Sequence, residues 1–246
     1  MNNNSHTNLG EIVRTDDESL TLKHPLHGEE YHSRSGAFLE SVELYVRSSG
    51  FEEKTAGDDK REISVLDVGL GLGYNALQTV RTWFLSPSPP PLKLVSVEIN
   101  RELPDALSRG NAPWIDARFE KNFISFCKAL NKKGNDFKAV ITHPDNKAVC
   151  HWLVRTGDAT ALDLSNERGD GFHFIWQDAF SPKVNPELWT LSWFKKLALL
   201  CSRGCILMTY SVAREVKDNL KEAGFTIKKI PALGSKRHWL KATYLL

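Results

Sequence analysis

Metal-site spacings are missing from this sequence. Its four cysteines form no Cys-x-x-Cys pair, and its eight histidines show no His-x-x-x-His spacing. Protein metal sites are commonly built from ligands at such spacings, so we expect no metal. Cys201 and Cys205 flank a Ser-Arg-Gly turn with apolar residues on both sides. We therefore expect the cysteines to be buried free thiols rather than disulfide partners.

Membrane-spanning and secretory segments are missing as well. No apolar run approaches the roughly 20 residues that cross a bilayer. The N-terminus, MNNNSH, has no basic region followed by an apolar core. We therefore expect a cytoplasmic protein with no membrane partner. The length of 246 residues and a hydrophobic share of 41% fit one domain over residues 1–246, with residues 1–30 as a partly mobile extension.

The small net charge of +2 hides an uneven distribution. Residues 1–60 hold 6 Lys or Arg against 12 Asp or Glu, whereas residues 211–246 hold 8 against 3. A basic C-terminal part is compatible with contacts to phosphates. A solvated helix face explains the same charges, and charge alone favours that explanation.

The most informative stretch is residues 172–189, which read FHFIWQDAFSPKVNPELW. Its first six residues are apolar, aromatic or β-branched, which predicts a buried strand. Asp178 follows, then turn formers, and a helix is expected from about Pro186. Open α/β sheets place their chemistry at the carboxyl ends of strands. Asp178 is therefore a candidate catalytic residue, although a turn-capping role fits the local pattern equally well.

A glycine-rich loop follows an earlier strand. Residues 63–68 read ISVLDV and run into GLGLGYN at residues 69–75, after which a helix is expected through Trp83. Glycines allow a close backbone approach to a ligand, and the helix N-terminus favours an anionic group. This pattern makes Gly69, Gly71, Gly73 and Asn75 candidate cofactor-binding residues.

Two further carboxylates follow strands. Glu98 ends the apolar run LKLVSVE, where a carboxylate can accept hydrogen bonds from both hydroxyls of a ribose. Asp158 follows the expected strand at residues 151–156. It either caps the next helix or bonds an adenine amino group, and both roles can hold together.

The chain alternates strands and helices, which predicts a doubly wound, mostly parallel α/β sheet. Residues 225–230 and 239–245 read as a closing antiparallel pair. The coarser expectations are a loop at residues 50–61, a helical and mixed region over 101–135, a helix at 188–200, and a helix from Ser211 to Ala223 with Ser211 as its cap.

The acidic strand ends resemble those of the Rossmann-like methyltransferases that use S-adenosylmethionine. The run from Asp178 to Trp189 is similar to the signature of the MnmC-like tRNA wobble-uridine methyltransferases. Three further short motifs are similar to motifs of the same family: TYS at 209–211, AGF at 223–225 and GSKR at 234–237. So are Tyr31-x-Ser33 and Glu40-Ser41 near the N-terminus. The glycine loop departs from the family's more usual GFGTGLN, with Asn75 retained.

This resemblance implies specific roles. The glycine loop would face the methionine part of S-adenosylmethionine, Glu98 its ribose and Asp158 its adenine. Asp178 would act on the aminomethyl group of 5-aminomethyl-(2-thio)uridine in tRNA, giving the methylaminomethyl form. The tRNA would contact Phe180, Pro182, Lys236 and Arg237. The flavin-dependent oxidase part of many members has no counterpart here, so no FAD is expected.

Three other functions fit parts of the pattern. A small-molecule amine methyltransferase or aminopropyltransferase shares the sheet and an aspartate after the fourth strand. An NAD-dependent oxidoreductase would use the glycines and Glu98, but it leaves the Asp178 motif unexplained. A catalytically inactive RNA-binding module is disfavoured by the joint presence of Asp178, Glu98 and the glycine loop.

Overall fold

The structure is a computed structural model that describes residues 6–7, 9–115, 121–232 and 238–245. Its strands are β1 (His6–Thr7), β2 (Gly10–Arg14), β3 (Leu20–Lys23), β4 (Ile63–Val68), β5 (Leu92–Glu98), β6 (Asn131–Lys133), β7 (Asp136–Thr142), β8 (Val149–Thr156), β9 (Phe172–Gln177), β10 (Cys201–Thr209), β11 (Phe225–Pro231) and β12 (His238–Tyr244).

The helices lie mainly between the strands of the large sheet. They are α1 (Ala37–Glu40), which continues as a π-helix (Ser41–Arg47), α2 (Phe51–Ala56), α3 (Tyr74–Leu85), α4 (Glu102–Ser108), α5 (Lys121–Ala129), α6 (Ser165–Arg168), a 3-10 helix (Pro186–Trp189), α7 (Leu191–Leu200) and α8 (Arg214–Glu222).

The large sheet has the strand order β11-β12-β10-β9-β4-β5-β8-β7-β6. β8, β5, β4, β9 and β10 run parallel. β12 is antiparallel to β10, and β11 to β12. The predicted fold, a mostly parallel Rossmann-like sheet with a C-terminal antiparallel hairpin, is confirmed. The strand order reverses between β4 and β9, and ligands of such sheets bind at the carboxyl ends beside that reversal.

The sheet separates two hydrophobic cores. Along β4, Ile63 and Val65 belong to one core, and Leu66 and Val68 belong to the other. Successive side chains on a strand point to opposite faces, which explains this alternation. Side chains from the π-helix and α3 complete the first core, and side chains from α7 and α8 complete the second. The strand ends beside the reversal are therefore supported from both faces.

The two edges of the sheet differ from a purely parallel arrangement. Beyond β8, β7 and β6 add an antiparallel edge to the large sheet. A separate three-stranded sheet, β1-β2-β3, lies within residues 1–30. Leu22 of β3 is fully buried in the first core. The extent of the single domain and the mobility of the extension remain predictions.

The expected loop at residues 50–61 was wrong, because Phe51–Ala56 forms α2. Phe51 is fully buried, and it packs its ring against Phe174 at a centroid distance of 5.5 Å. The next residues include Glu52, Glu53 and Lys54, which are good helix formers. Tertiary packing of one aromatic side chain thus selects a short helix in a charged segment.

Several helix bounds also differ from the expectation. The helix expected at 188–200 begins at Leu191, because Thr190 is extended and its hydroxyl caps the helix by accepting from the Trp193 N–H at 3.2 Å. Ser211 is not the cap of α8, since that helix begins at Arg214. The region 101–135, expected to be helical and mixed, contains α4 and α5 and β6 near its end. In the described ranges, no helix has the length and apolar character that crossing a bilayer requires.

Candidate functional site

A cavity of about 360 Å³ opens at the carboxyl ends of β4, β5 and β9. This volume lies in the range of small-molecule and cofactor sites. Six residues singled out in the sequence lie in its wall: Gly69, Gly71, Glu98, Asp158, Asp178 and Phe180. Residues expected to bind a cofactor and residues expected to act on a substrate therefore share one space.

The glycine loop forms the floor of this cavity. Gly69 has φ +87°, and a Cβ there would lie 2.8 Å from the carbonyl oxygen of Asp178. Gly71 has φ +51°, and its Cβ would lie 3.2 Å from Cδ1 of Tyr31. A side chain at Gly69 would displace the backbone of Asp178. The glycine at this position thus lets the ends of β4 and β9 approach each other closely.

Glu98 is held rigidly at the end of β5. Its Oε2 accepts from the Gly71 N–H and its Oε1 from the Asn100 N–H, both at 2.8 Å. Burial raises the pKa of the Glu98 carboxyl, and these two backbone donors oppose the rise. A carboxylate has about four acceptor sites, so two oxygens bound in this way can still accept from a ligand.

Asp67, near the end of β4, is a buried carboxyl group beneath the glycine loop that bonds to the neighbouring strand β5. It is fully buried, and its Oδ2 accepts from the Ser96 hydroxyl at 2.8 Å. Burial raises the pKa of Asp67 well above its usual value, and Asp178 and Glu98 add to the rise. Three carboxyl groups thus converge beneath and around the glycine loop.

Asp158 follows β8 at the far side of the cavity. Its Oδ1 accepts from the N–H and the hydroxyl of Thr160, each at 2.8 Å. The carbonyl of Asp158 accepts from the Ala161 N–H at 3.0 Å. Asp158 therefore stabilises a turn, and no helix of the described chain begins there. Its position in the cavity wall leaves the carboxylate available to a ligand as well.

Asp178 lies directly after β9, beside the reversal of strand order. Its backbone N–H donates to the Val68 carbonyl at 3.0 Å. This bond extends the hydrogen-bond ladder between β9 and β4 by one step. Its Oδ2 accepts from Nδ2 of Asn75 at 2.6 Å. Tyr45 lies beneath this carboxylate, and burial together with Asp178 raises the pKa of the Tyr45 hydroxyl well above its usual value.

Each of the three residues after Asp178 is held by a hydrogen bond to a side chain from another part of the chain. Tyr210 donates its hydroxyl to the Ala179 carbonyl at 2.9 Å, and Trp189 donates Nε1 to the Phe180 carbonyl at 2.8 Å. The Ser181 hydroxyl donates to Oε1 of Glu29 at 2.6 Å. These contacts come from β10 and its following turn, the 3-10 helix and the N-terminal segment. The loop is therefore positioned from several elements at once.

The opposite wall comes mainly from the N-terminal segment and contains residues to which the sequence analysis assigned no chemistry. They are Glu29, Tyr31, Glu40 and Tyr210. Burial raises the pKa of Tyr31, and Glu98 adds to the rise. Burial likewise raises the pKa of Tyr210, with Asp178, Glu29 and Glu40 adding to it. This end of the cavity is thus aromatic and anionic.

Three of these four wall residues belong to motifs that were noted in the sequence. Tyr31 and Glu40 belong to the opening motif quoted above, and Tyr210 lies in the TYS text at 209–211. No local pattern assigned them a role, because their partners are distant along the chain. Glu29, for example, is 152 residues from Ser181.

Three other predicted residues lie outside the set that lines the cavity. Gly73, with φ +86°, is the N-cap of α3, and a Cβ there would lie 2.9 Å from Cδ1 of Leu107. Asn75 in the first turn of α3 contacts Asp178. Pro182 lies in the turn after Ser181. None of these three is among the lining residues of the cavity.

The remaining predicted tRNA contacts, Lys236 and Arg237, lie outside the described residues. Among the residues that are described, no group of three or more His, Cys, Asp or Glu side chains is arranged to hold a metal ion. All four cysteines are buried and free, as predicted.

The sequence profile of the S-adenosyl-L-methionine-dependent methyltransferase family matches residues 137–245. The chain is similar over its whole fold to MnmC2 from Aquifex aeolicus, with a TM-score of 0.73 and 26% identity. That match covers 98% of this chain and 72% of the other.

Two curated relatives extend the match along the sequence. Both are tRNA 5-methylaminomethyl-2-thiouridine biosynthesis bifunctional proteins MnmC. The protein of Burkholderia mallei is 30% identical over 229 residues, which is 91% of this chain and 34% of the relative. The protein of Azoarcus sp. is 29% identical over 225 residues, which is 89% of this chain and 33% of the relative. The chain belongs to the MnmC-like methyltransferases.

This MnmC-like methyltransferase spans about one third of the length of the curated relatives that it matches. The family resemblance inferred from the Asp178 motif is thereby confirmed. In the MnmC-like methyltransferase described here, that motif lies at the reversal of strand order and faces the glycine loop across one cavity.

Proposed function

We propose that this MnmC-like methyltransferase transfers a methyl group from S-adenosylmethionine to the primary amine of 5-aminomethyl-(2-thio)uridine at the tRNA wobble position. The product is the 5-methylaminomethyl form, made in the cytoplasm. The observation that carries the proposal is the position of Asp178 in the same cavity as the glycine loop and Glu98. The similarity to MnmC proteins over about nine tenths of the chain supports the choice of substrate.

The donor set of the cavity fits S-adenosylmethionine. Glu98 offers carboxylate oxygens to the two ribose hydroxyls, and Asp158 offers an acceptor to the adenine amino group. Gly69 and Gly71 line the cavity and carry no side chain, so the methionine part can lie against the loop backbone. When bound, the cofactor supplies an electrophilic methyl carbon, whose bond to sulfur breaks as the bond to the amine nitrogen forms.

Asp178 is proposed to orient the amine and to receive its proton. Only the neutral amine can attack, and neutralising an alkylamine of pKa about 10.4 at pH 7 costs roughly 4–5 kcal/mol. Burial against Phe180 lowers this cost because it disfavours the cation. As the nitrogen gains positive charge, the Asp178 carboxylate accepts its N–H and stabilises that charge. Alignment of the lone pair adds further rate acceleration.

Asn75 is proposed to support Asp178 rather than to contact the cofactor directly. Its amide donates to Oδ2 at 2.6 Å, and its own side chain is 2% exposed. The bond fixes the plane of the Asp178 carboxylate relative to the glycine loop. Asn75 is therefore a positioning residue, since it acts on the amine through Asp178.

The tRNA is proposed to present its wobble base at the open end of the cavity. Phe180, which lies in the cavity wall, and Pro182 are both on the loop that follows Asp178. Lys236 and Arg237 supply positive charge for phosphates in the same proposal.

The proposal is tested with purified protein, labelled S-adenosylmethionine and tRNA from cells that lack the methylated nucleoside. We expect label in tRNA, and mass spectrometry of the digested nucleosides should find it as 5-methylaminomethyl-(2-thio)uridine. Transfer of label to a free small amine but not to tRNA would instead identify a small-molecule methyltransferase. Label at any other nucleoside would reject the assigned substrate.

A further inference from the structure

The segment between β3 and Tyr31 forms a closed loop, residues 24–30, at the edge of the cavity. Nδ1 of His24 accepts from the N–H groups of Leu26 and His27, both at 3.2 Å. The backbone closes the loop through two bonds, His24 N–H to the Glu29 carbonyl at 2.8 Å and Gly28 N–H to the His24 carbonyl at 3.0 Å. The His24 ring is therefore fixed in orientation, with Nδ1 as an acceptor.

The 24–30 loop carries a stacked pair of imidazole rings. The centroids of His24 and His27 are 4.2 Å apart, and the ring planes differ by 24°. Phe180 packs against both rings, with centroid distances of 5.4 Å to His24 and 5.6 Å to His27. Tyr31 lies 4.9 Å from Phe180 on the cavity side. His27 is the exposed ring of this cluster, whereas His24, Tyr31 and Phe180 are half-buried.

The loop is fixed relative to the catalytic segment. Glu29, at the end of the loop, accepts from the hydroxyl of Ser181 at 2.6 Å and from its N–H at 3.3 Å. Ser181 is three residues from Asp178 along an anchored loop. A group that stacks on His27 is therefore held at a defined position relative to the amine site.

The chemistry of this surface fits a base rather than a phosphate. Glu29 lies in the cavity wall beside the loop, and its negative charge repels a phosphate group. Burial and the neighbouring His27 lower the pKa of His24, so the inner ring of the stack is neutral at neutral pH. Leu26 beside the rings is 87% exposed and adds apolar surface. Neutral aromatic rings bind nucleobases by stacking with little preference for sequence.

We propose that His27, supported by His24, is a stacking platform for an unpaired nucleobase adjacent to the nucleotide that is modified. The inference rests on the proposed function, because it takes RNA as the substrate. Phe180 was expected to contact the tRNA itself. In this proposal Phe180 instead packs under the two histidine rings, and His27 stacks on the neighbouring base. The platform would select an unpaired loop, in which such a base is free to stack.

The test compares His27→Ala with His27→Phe, using methyl transfer to tRNA. We expect KM for tRNA to rise about 5-fold to 100-fold in His27→Ala, because one base loses its stacking partner. His27→Phe keeps a ring and should stay within about 3-fold of the parent protein. His151→Ala, which removes an exposed histidine on β8, is the matched control and should leave KM unchanged.

Binding of S-adenosylmethionine, measured by calorimetry, checks that each variant is folded. An unchanged KM for tRNA in His27→Ala would overturn the platform, as would an equal rise in KM for His27→Phe and His27→Ala. Failure of the proposed function has a different signature, because the parent protein itself would then leave tRNA unmethylated.

Discussion

The two halves of the cavity are built in different ways. The half assigned to the cofactor comes from consecutive strand ends, namely the glycine loop after β4, Glu98 at the end of β5 and Asp158 after β8. The half assigned to the amine combines Asp178 with partners from distant segments. Asn75 is 103 residues from Asp178, and Glu29 is 152 residues from Ser181. The cofactor half therefore depends on local motifs, whereas the amine half depends on the completed fold.

If this division is functional, changes in one half should leave the other intact. The largest effect is expected at Asp178. Asp178→Asn keeps the size of the side chain but removes the charge that stabilises the forming ammonium, so methyl transfer to tRNA should fall at least ~100-fold.

Binding of S-adenosylmethionine to Asp178→Asn, followed by calorimetry, should persist with its affinity changed less than about 3-fold. A turnover close to that of the parent protein would remove Asp178 from the mechanism. A large loss of cofactor affinity would show that the two halves are not separable.

The reciprocal change is in the cofactor half. Glu98→Ala should weaken S-adenosylmethionine binding by about 10-fold to 100-fold, because hydrogen bonds to a charged acceptor contribute about 1.5–3 kcal/mol. At saturating cofactor the turnover of tRNA should recover, which separates binding from chemistry. A lower turnover at saturation would place Glu98 in the amine half as well.

The pH dependence of cofactor binding is a second test of the role of Glu98. Burial raises the pKa of Glu98 above 4.5, so its carboxylate is protonated at a higher pH than an exposed glutamate. Ribose hydroxyls donate to the charged form, and acidification should therefore weaken cofactor binding while the pH is still above 4.5. Titration calorimetry of the parent protein and Glu98→Gln should show this dependence only in the parent. Equal pH profiles would reject the role of Glu98.

A smaller effect is expected at Asn75, the residue that joins the two halves. Asn75→Ala removes the donor to Oδ2 of Asp178, and turnover should fall about 10-fold while cofactor affinity changes little. In the Asp178→Asn background the same change should cost less than about 2-fold, because the two residues act together. Additive losses in this double-mutant cycle would indicate a structural role for Asn75 only.

The smallest effect concerns the 24–30 loop. The pKa of His24 is lowered from 6.5 by burial and by His27, so the unfolded chain binds a proton more readily than the folded one. Stability therefore rises with pH in this window, and the contribution is lost as pH falls below 6.5. Between about pH 7.5 and about pH 5.5 the melting temperature should therefore fall further in the parent than in His24→Asn. Asn keeps an acceptor for the turn but does not titrate.

The sequence predicted those parts of the fold that have strong local patterns. β4, the glycine loop and α3 follow from an apolar run, positive-φ glycines and an amphipathic helix. β9 follows from residues that are β-branched or aromatic and ends one residue before Asp178. Each of these patterns is complete within about 20 residues, so no distant partner is needed to recognise it.

The parts that were missed depend on partners elsewhere in the chain. α2 forms because Phe51 packs against Phe174 of β9, a contact that no window around residue 51 reveals. The hairpin of β7 and β8 depends on the turn in which the His143 N–H donates to the Ala148 carbonyl at 2.8 Å. The same reasoning explains the site. Asp178 and Glu98 were found from local patterns, whereas the partnership of Asn75 with Asp178 was not.

Gly69 joins the two halves more directly than any side chain does. Its Cα faces the carbonyl of Asp178 so closely that a methyl group would not fit between them. The donor side and the acceptor side of the methyl transfer therefore share a backbone contact at this point. A shift of either strand end would change the distance that the methyl group travels. Selection for turnover would then act on Gly69 through this backbone contact as well as through its place in the cavity wall.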